Sequence, residues 1–507
     1  MCDRWPRRPP RSPATAVRTA RRSSRSRTNT KPSAPSSART VGSLVIGCRR
    51  SPGVPLRRKH PPPGVGPTPP HEGIRMAKVI VGATPFQGHV NPVLTVAADL
   101  VDRGHEVVVY TGSRFEERAL AIGARFQALP PEADLDDRKL DTRFPVRATL
   151  PPGPAQLSFD FENFFLGHLP AQARGLRALL ETFPADVVLG ELGFWSIPLL
   201  GLSAAPGERP TLVTLGSVPL LIQSDDTPAF GPGLLPAPGE EARVRNRAMN
   251  AEVRQAFAEL QRFGEATFAS LGVPMPDYLF DAPFRRTDHY LQLTVPSFEY
   301  PRRDLPAHLR FIGTLPPAPS GEWVEPAWWP ELSTGRPVVV VTQGTVANTD
   351  LHELVIPTVR ALADLDVLVV AATVREDGPD LVRQALTEVP DNVRLAGFVP
   401  FDRLLPHADV LVTNGGYGGV QIALYHGVPL VVAGASEDKP EVAARVEWSG
   451  TGVNLRTGTP ADADLRAAVQ TVLHEPGYRA QAGIMAKEIS QYDPFEAIAE
   501  IVEAAGR

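Results

Sequence analysis

Asn414-Gly415-Gly416-Tyr417-Gly418-Gly419-Val420, continued by Ala423-Leu424-Tyr425-His426-Gly427-Val428-Pro429, is the stretch on which the fold turns. The apolar run Val410 to Val412 feeds into it, and a second run, Leu430 to Val432, comes after a helix-like segment. The order is strand, Gly-rich turn, helix, strand. Four glycines within five residues let backbone N–H groups crowd around an anion at a helix N-terminus, where the peptide dipoles favour negative charge. A phosphate or diphosphate suits such a place. A tight turn that needs glycine only for its backbone is the other reading.

A related unit opens the acidic part of the chain. Lys78-Val79-Ile80-Val81 reads as a strand and runs into the turn Gly82-Ala83-Thr84-Pro85-Phe86-Gln87-Gly88-His89. Val93, Val96, Ala97, Leu100 and Val101 then recur at helical spacing, Gly104 closes the helix, and Val107 to Tyr110 reads as the next strand. This is a βαβ unit, without the G-x-G-x-x-G of a dinucleotide site.

Working outward, strand candidates are 78–84, 106–110, 186–190 and 211–215, with a mostly helical region at 225–285. A Pro- and Trp-rich segment at 315–336 has the composition of a linker. A second alternation follows at Val338 to Thr342, Val367 to Ala371, Val393 to Ala396, Val410 to Val412 and Leu430 to Val432. The expected fold class is α/β, with two Rossmann-like halves of similar plan. Asp493 and Pro494 suit the N-cap and first position of a last helix. Ligands of parallel α/β sheets bind outside the carboxyl ends of the strands. That rule places His89 and Glu191 in the crevice of the first half. It places Gln343, Gly344, Thr345 and Asn414 with its glycines in the crevice of the second. Two facing crevices suit one substrate each.

Charge separates the first 75 residues from the rest. They hold 17 Lys and Arg against Asp3 and Glu72, a net of +15, while residues 76–507 carry 35 Lys and Arg against 54 Asp and Glu, a net of −19. The acidic body argues against nucleic acid as its main partner. The Arg-, Ser- and Pro-rich tail cannot bury enough apolar surface to offset the entropy of ordering. It reads as a disordered extension, with a basic arm and a targeting signal as the other readings, and Met76 is a candidate true start. No apolar run reaches the roughly 18 residues of a membrane span. Cys2 and Cys48 both lie in the tail, so the body has no disulfide framework or Cys-based metal site, and a reducing cytoplasm is the expected compartment.

Taken together these motifs resemble the family 1, UGT-like glycosyltransferases of the GT-B fold, above all the bacterial enzymes that glycosylate macrolides and other natural products. The likeness rests on 85–92, on Arg103-Gly104-His105-Glu106-Val107, on Thr342 to Thr345, on Gly397-Phe398-Val399-Pro400, and on the segment from Asn414 through Asp438 and Arg445. It implies two Rossmann-like domains facing across a cleft: an acceptor-binding domain at 76–314, a linker at 315–336, and a nucleotide-sugar-binding domain at 337–486. A helix at 487–507 would return to the first domain. It also implies transfer of a hexose from a UDP- or dTDP-sugar to a hydroxyl of a small, mostly apolar acceptor, with inversion and with neither metal nor cofactor.

Residue by residue, the resemblance gives His89 as general base and Glu191 in the place of the Asp that orients it. Gln343, Gly344, Thr345, Phe398, Val399, Asn414, Gly415, Gly416, Gly418, Gly419, Asp438 and Lys439 fall at the nucleotide sugar. Phe86, Phe161, Phe164 and Trp195 are expected at the acceptor. The cluster Phe159, Phe161, Phe164 and Phe165 suits either core packing or an acceptor pocket. Three positions depart from the family pattern: Asn414 stands for a His, Ile422 for a Glu that holds ribose, and Lys439 for a Gln. The chemistry agrees, since a histidine suits proton abstraction near neutral pH and a carboxylate on its far nitrogen fixes the tautomer. A non-catalytic nucleotide-sugar-binding homologue acting as a partner protein is the alternative reading. The oligomeric state is open.

Overall fold

The computed structural model describes residues 76–506 apart from 152, 318–322 and 345–347. The expected disordered tail and Thr345 therefore lie outside the described residues.

The first half is a seven-stranded sheet: β1 Lys78–Gly82, β2 Glu106–Thr111, β3 Arg125–Ala128, β4 Val187–Glu191, β5 Thr211–Gly216, β6 His289–Gln292 and β7 Leu309–Phe311. Its order is β3-β2-β1-β4-β5-β6-β7, with every pairing parallel. The second half is a six-stranded sheet: β8 Val338–Thr342, β9 Leu368–Ala372, β10 Val393–Ala396, β11 Val410–Thr413, β12 Leu430–Val432 and β13 Gly452–Asn454. Its order is β10-β9-β8-β11-β12-β13, again all parallel. Each sheet reverses strand order once, between β1 and β4 and between β8 and β11. Those switch points are where doubly wound sheets open a crevice.

Parallel strands are covered on both faces, so they read as unbroken apolar runs. Alternation then divides each run between two cores. Val79 and Val81 join one cluster while Ile80 joins another. In the second sheet, Val338 and Val340 face one core and Val339 and Val341 the opposite one.

Local detail corrects two sequence expectations and bears out a third, the capping of the last helix. The helical region at 225–285 resolves into Glu240–Ala256 and Ala258–Ser270, broken at Phe257. Trp323, Trp328 and Trp329 of the linker-like segment pack against the second core, so that part of it is docked. The last helix, Pro494–Ala505, is capped by Asp493, whose carboxylate accepts the Glu496 N–H at 3.0 Å. Its Ile498, Ile501 and Val502 complete the core of the first sheet.

Candidate active site

The first half of the site is built at the β1/β4 switch. Gly82 and Gly190 pair across the two strands. A Cβ on Gly82 would lie 2.4 Å from the Phe194 ring and one on Gly190 would lie 2.8 Å from it, so two glycines let that ring pack over the strand ends. After β1 the chain turns at Pro85 and enters helix Gln87–Asp102. His89 sits in its first turn, rather than in the preceding loop. Glu191 is the last residue of β4, one position inside the strand.

His89 Nδ1 lies 2.7 Å from Glu191 Oε2, with the histidine side chain 29% exposed and the glutamate side chain fully buried. Glu191 is held from both sides: its Oε1 accepts the Thr84 N–H at 3.1 Å, and its Oε2 also accepts the Gly193 N–H. The Thr84 hydroxyl donates to the Gly193 carbonyl at 2.8 Å and closes the turn. A Cβ on Gly193 would approach Phe165 to 2.9 Å and His89 to 3.2 Å, so glycine is needed for the dyad to assemble. A carboxylate that already accepts two N–H groups takes the third bond as an acceptor too. Nδ1 therefore carries the proton, and Nε2 keeps its lone pair.

This geometry predicts the behaviour of Glu191→Gln. Both carboxylate oxygens face N–H donors, so either orientation of an amide turns its NH2 toward a donor. The variant should lose about 1–3 kcal/mol of stability from a buried unmatched group. Thermal denaturation beside turnover checks this; wild-type values of both would contradict the geometry.

The second half of the site is built at the β8/β11 switch, where Thr342 and Thr413 pair. Gly344 (φ +73°) and Gly415 (φ +87°) both need the left-handed backbone that glycine adopts freely. Asn414 donates from Nδ2 to the Gln343 carbonyl at 2.5 Å and so ties the two loops together. Gly416 precedes helix Tyr417–Tyr425, whose first turn holds Gly418 and Gly419. A Cβ on Gly416 or Gly418 would meet no atom within 4 Å, which leaves the helix N-terminus open to an anion.

Other candidates face elsewhere. The Gln343 amide is turned inward: Oε1 accepts the Leu354 and Val355 N–H groups, and Nε2 donates to the Asp350 carbonyl at 2.9 Å. Its side chain thus braces Asp350, Leu354 and Val355. Phe398 is 64% exposed beyond β10, while the Val399 side chain is buried in the second core and can offer only backbone. Ile422, at the ribose position of the family pattern, packs against that same core.

Asp438 precedes helix Lys439–Trp448, and its side chain does not cap that helix. Lys439 is buried and its Nζ pairs with Glu437, a partner that sequence reasoning missed. Glu437 adopts φ +58°, a sparsely populated conformation for a residue with a side chain. Nothing in the sequence signals it beyond its place beside Asp438.

The two crevices act on each other electrically. Burial lowers the His89 pKa, but Glu191, by charge and hydrogen bond, and then Asp438 and Glu437 raise it, and the net shift is upward from the usual 6.5. Burial raises the Asp438 pKa, with Lys439 pulling down and Glu437 pushing up, for a net rise. Carboxylates of both halves thus act on the charge of His89. Glu437 also feels Arg147, which forms a two-pronged pair with Asp160 at 2.6 and 2.8 Å. Among the described residues, no group of three or more His, Cys, Asp or Glu side chains is placed to hold a metal ion. Likewise among them, no helix is long and apolar enough to cross a membrane.

Aromatic rings surround His89. Its ring centroid is 5.8 Å from Phe86 and 5.7 Å from Phe165, and Phe165 is 5.1 Å from Phe161. These three phenylalanines are half-buried. Trp195 and Phe164 are 2% and 3% exposed, so the expectation that they face an acceptor is corrected: both are packed inside, Trp195 against Phe161 and Phe268. Phe165, noted in the sequence only as a member of the phenylalanine cluster, stands beside the dyad instead.

Comparison with known proteins agrees with this architecture. Residues 357–504 match the family model of the erythromycin biosynthesis protein CIII-like C-terminal domain. The chain is 42% identical over 430 residues to the 4'-demethylrebeccamycin synthase of Lentzea aerocolonigenes, covering 84% of this chain and 99% of that protein. It is 39% identical to UDP-glycosyltransferase 2 of Phaeomoniella chlamydospora, over 84% of this chain and 95% of the relative. Among solved structures, the glycotransferase of kitacinnamycin superposes with a TM-score of 0.65 at 23% identity, covering 85% of this chain and 99% of its own. The shared plan is two parallel-sheet Rossmann-like domains facing across a cleft. The chain therefore belongs to the family 1, UGT-like glycosyltransferases of the GT-B fold, and is a nucleotide-sugar-dependent glycosyltransferase.

Proposed function

We propose that the protein is an inverting hexosyltransferase that moves a sugar from a UDP- or dTDP-sugar to a hydroxyl of a small, mostly apolar acceptor, with His89 as general base and without metal or cofactor. The observation that carries this reading is the His89–Glu191 pair at 2.7 Å at the end of the β1/β4 switch, its carboxylate fully buried and its imidazole partly exposed. Nε2 takes the acceptor proton as the hydroxyl oxygen attacks the anomeric carbon. A new C–O bond forms as the bond to the diphosphate breaks on the opposite face, which inverts the centre. Glu191 stabilises the imidazolium. The leaving diphosphate gathers negative charge at the glycine-lined helix N-terminus after Asn414, where preorganised N–H groups stabilise it. Asp438 accepts hydrogen bonds from sugar hydroxyls. The half-buried rings of Phe86, Phe161 and Phe165 favour an acceptor with an apolar, flat face.

The test is a donor screen by mass spectrometry with a promiscuous flavonoid acceptor, alongside release of nucleoside diphosphate. Glycoside formation without added metal is expected. Tight nucleotide-sugar binding with no transfer to any acceptor would instead favour a non-catalytic role.

Turnover should fall on the acid side as His89 protonates. Because its pKa is raised, the loss should centre above the ordinary histidine value of about 6.5. Asp438→Asn removes one of the charges that raise it, so the acid limb of that variant should move down in pH. A limb that stays in place on substitution would separate His89 from the titration.

A further inference from the structure

Helix Lys439–Trp448 starts beside the carboxylate assigned to the sugar, and further along it carries a buried ion cluster. Arg445 donates from Nε to Glu299 Oε1 at 2.8 Å and from Nη1 to Glu441 Oε2 at 3.0 Å, and the three side chains are 1%, 1% and 4% exposed. Its guanidinium also lies 4.3 Å over the Tyr300 ring. The carboxylates reach further. Glu299 Oε1 accepts the Leu220 N–H at 3.0 Å. Glu441 Oε1 accepts the N–H groups of Gly231 at 2.7 Å and Gly233 at 2.9 Å. Those three residues belong to the loop between β5 and helix Glu240–Ala256, in the first half. Gly233 (φ +64°) lies so close that a Cβ there would sit 2.4 Å from the Pro440 carbonyl oxygen. Arg302 holds the same loop by donating to the Leu220 carbonyl at 2.7 Å and to that of Ile222.

Burying such a cluster is poor economy for stability alone, because apolar side chains of similar volume would serve as well. What it supplies is register. An apolar contact lets two surfaces slide, whereas across the domain boundary Glu441 is matched to the Gly231 and Gly233 N–H groups and the Arg445 guanidinium to Glu299, which in turn holds Leu220 of its own half. The helix so fixed is the one whose first turn follows Asp438, and the loop is part of the half that carries His89.

We propose that Glu441, Arg445 and Glu299 are positioning residues for the donor sugar, setting the spacing between Asp438 and His89 by registering helix Lys439–Trp448 on the loop of the opposite half. The assignment rests on the glycosyltransfer reading above. The diphosphate loop at 414–419 is no part of this cluster, so nucleotide binding and sugar alignment should separate.

The experiment measures Glu441→Gln, Glu299→Gln and the charge-free triple variant Glu299→Gln/Glu441→Gln/Arg445→Met. The readouts are kcat and KM for the nucleotide sugar, the ratio of donor hydrolysis to transfer, and the affinities for UDP and dTDP alone by calorimetry. The single variants should lose about tenfold or more in kcat/KM for the donor, from one charge-assisted contact. Hydrolysis should rise relative to transfer, while UDP and dTDP affinities stay at wild type. The triple variant removes all three charges of the cluster at once and should regain most of the Tm that the single variants lose, yet keep the kinetic defect. It also serves where a single variant fails to fold. Wild-type donor kinetics in the triple variant would overturn the proposal, as would a parallel loss of nucleoside diphosphate affinity, which would make the cluster a support of the whole second half. A wild-type protein that transfers no sugar would sink the glycosyltransfer reading and this assignment together. A transferring wild type with unaffected variants would sink the assignment alone.

Discussion

His89→Ala should transfer sugar about 10²–10⁴-fold more slowly than the wild type, the usual loss for a general base. Affinity for the nucleotide sugar should be unchanged. His89 stands at the β1/β4 switch, and the glycine-lined turn that suits a diphosphate stands at the β8/β11 switch. The fold should survive, because the side chain is 29% exposed and Glu191 retains the Thr84 and Gly193 N–H groups as partners. Turnover with a phenolic acceptor beside calorimetry with the donor decides it. Wild-type turnover would remove His89 from the mechanism. A lost donor affinity would move it to the other substrate.

Asp438→Ala should lower turnover by about 10²-fold, the effect of removing a charge-assisted hydrogen bond from a half-buried site. The carboxylate does not cap its own helix, so its loss should barely move the melting temperature. Donor preference should broaden or shift among hexoses, since the hydroxyls that it accepts from would be released. Lys439 stays paired with Glu437 in that variant and keeps the loop charged. Kinetics with several nucleotide sugars, read beside thermal denaturation, test this. An unchanged rate and an unchanged preference would place the sugar elsewhere.

The long apolar runs made both sheets readable. Val338 to Thr342 and Val410 to Val412 are buried on both faces, and nothing but a strand fits them. The strands that escaped notice are Arg125–Ala128, His289–Gln292, Leu309–Phe311 and Gly452–Asn454. Each is short, and three lie at sheet edges, where one flank is unpaired and polar residues are tolerated. His89 and Glu191 could be placed in one crevice from sequence because each comes at the carboxyl end of a strand, and their proximity follows from topology. The direction of a side chain within a loop has no such rule. Gln343 turns inward because the Leu354 and Val355 N–H groups need an acceptor, a demand set eleven and twelve residues away. Trp195 and Phe164 are as aromatic as Phe165, and only packing decides which of them meets the cleft. The Glu299–Arg445 pair spans 146 residues, and no spacing rule links its members.

The docking of helix Pro494–Ala505 on the first sheet bears on the order in which the chain can fold during synthesis. Domains emerging from a ribosome generally fold as units, the earlier ones first. Here the core around β1 and β2 lacks Ile498, Ile501 and Val502 until nearly the whole chain has been made. The second half has its strands and most of its apolar contacts within 329–489, a continuous span, and can consolidate without waiting. The domain translated second is thus free to finish first, and closure of the earlier one marks the end of folding, with the loop-closure delay that such long-range contacts bring.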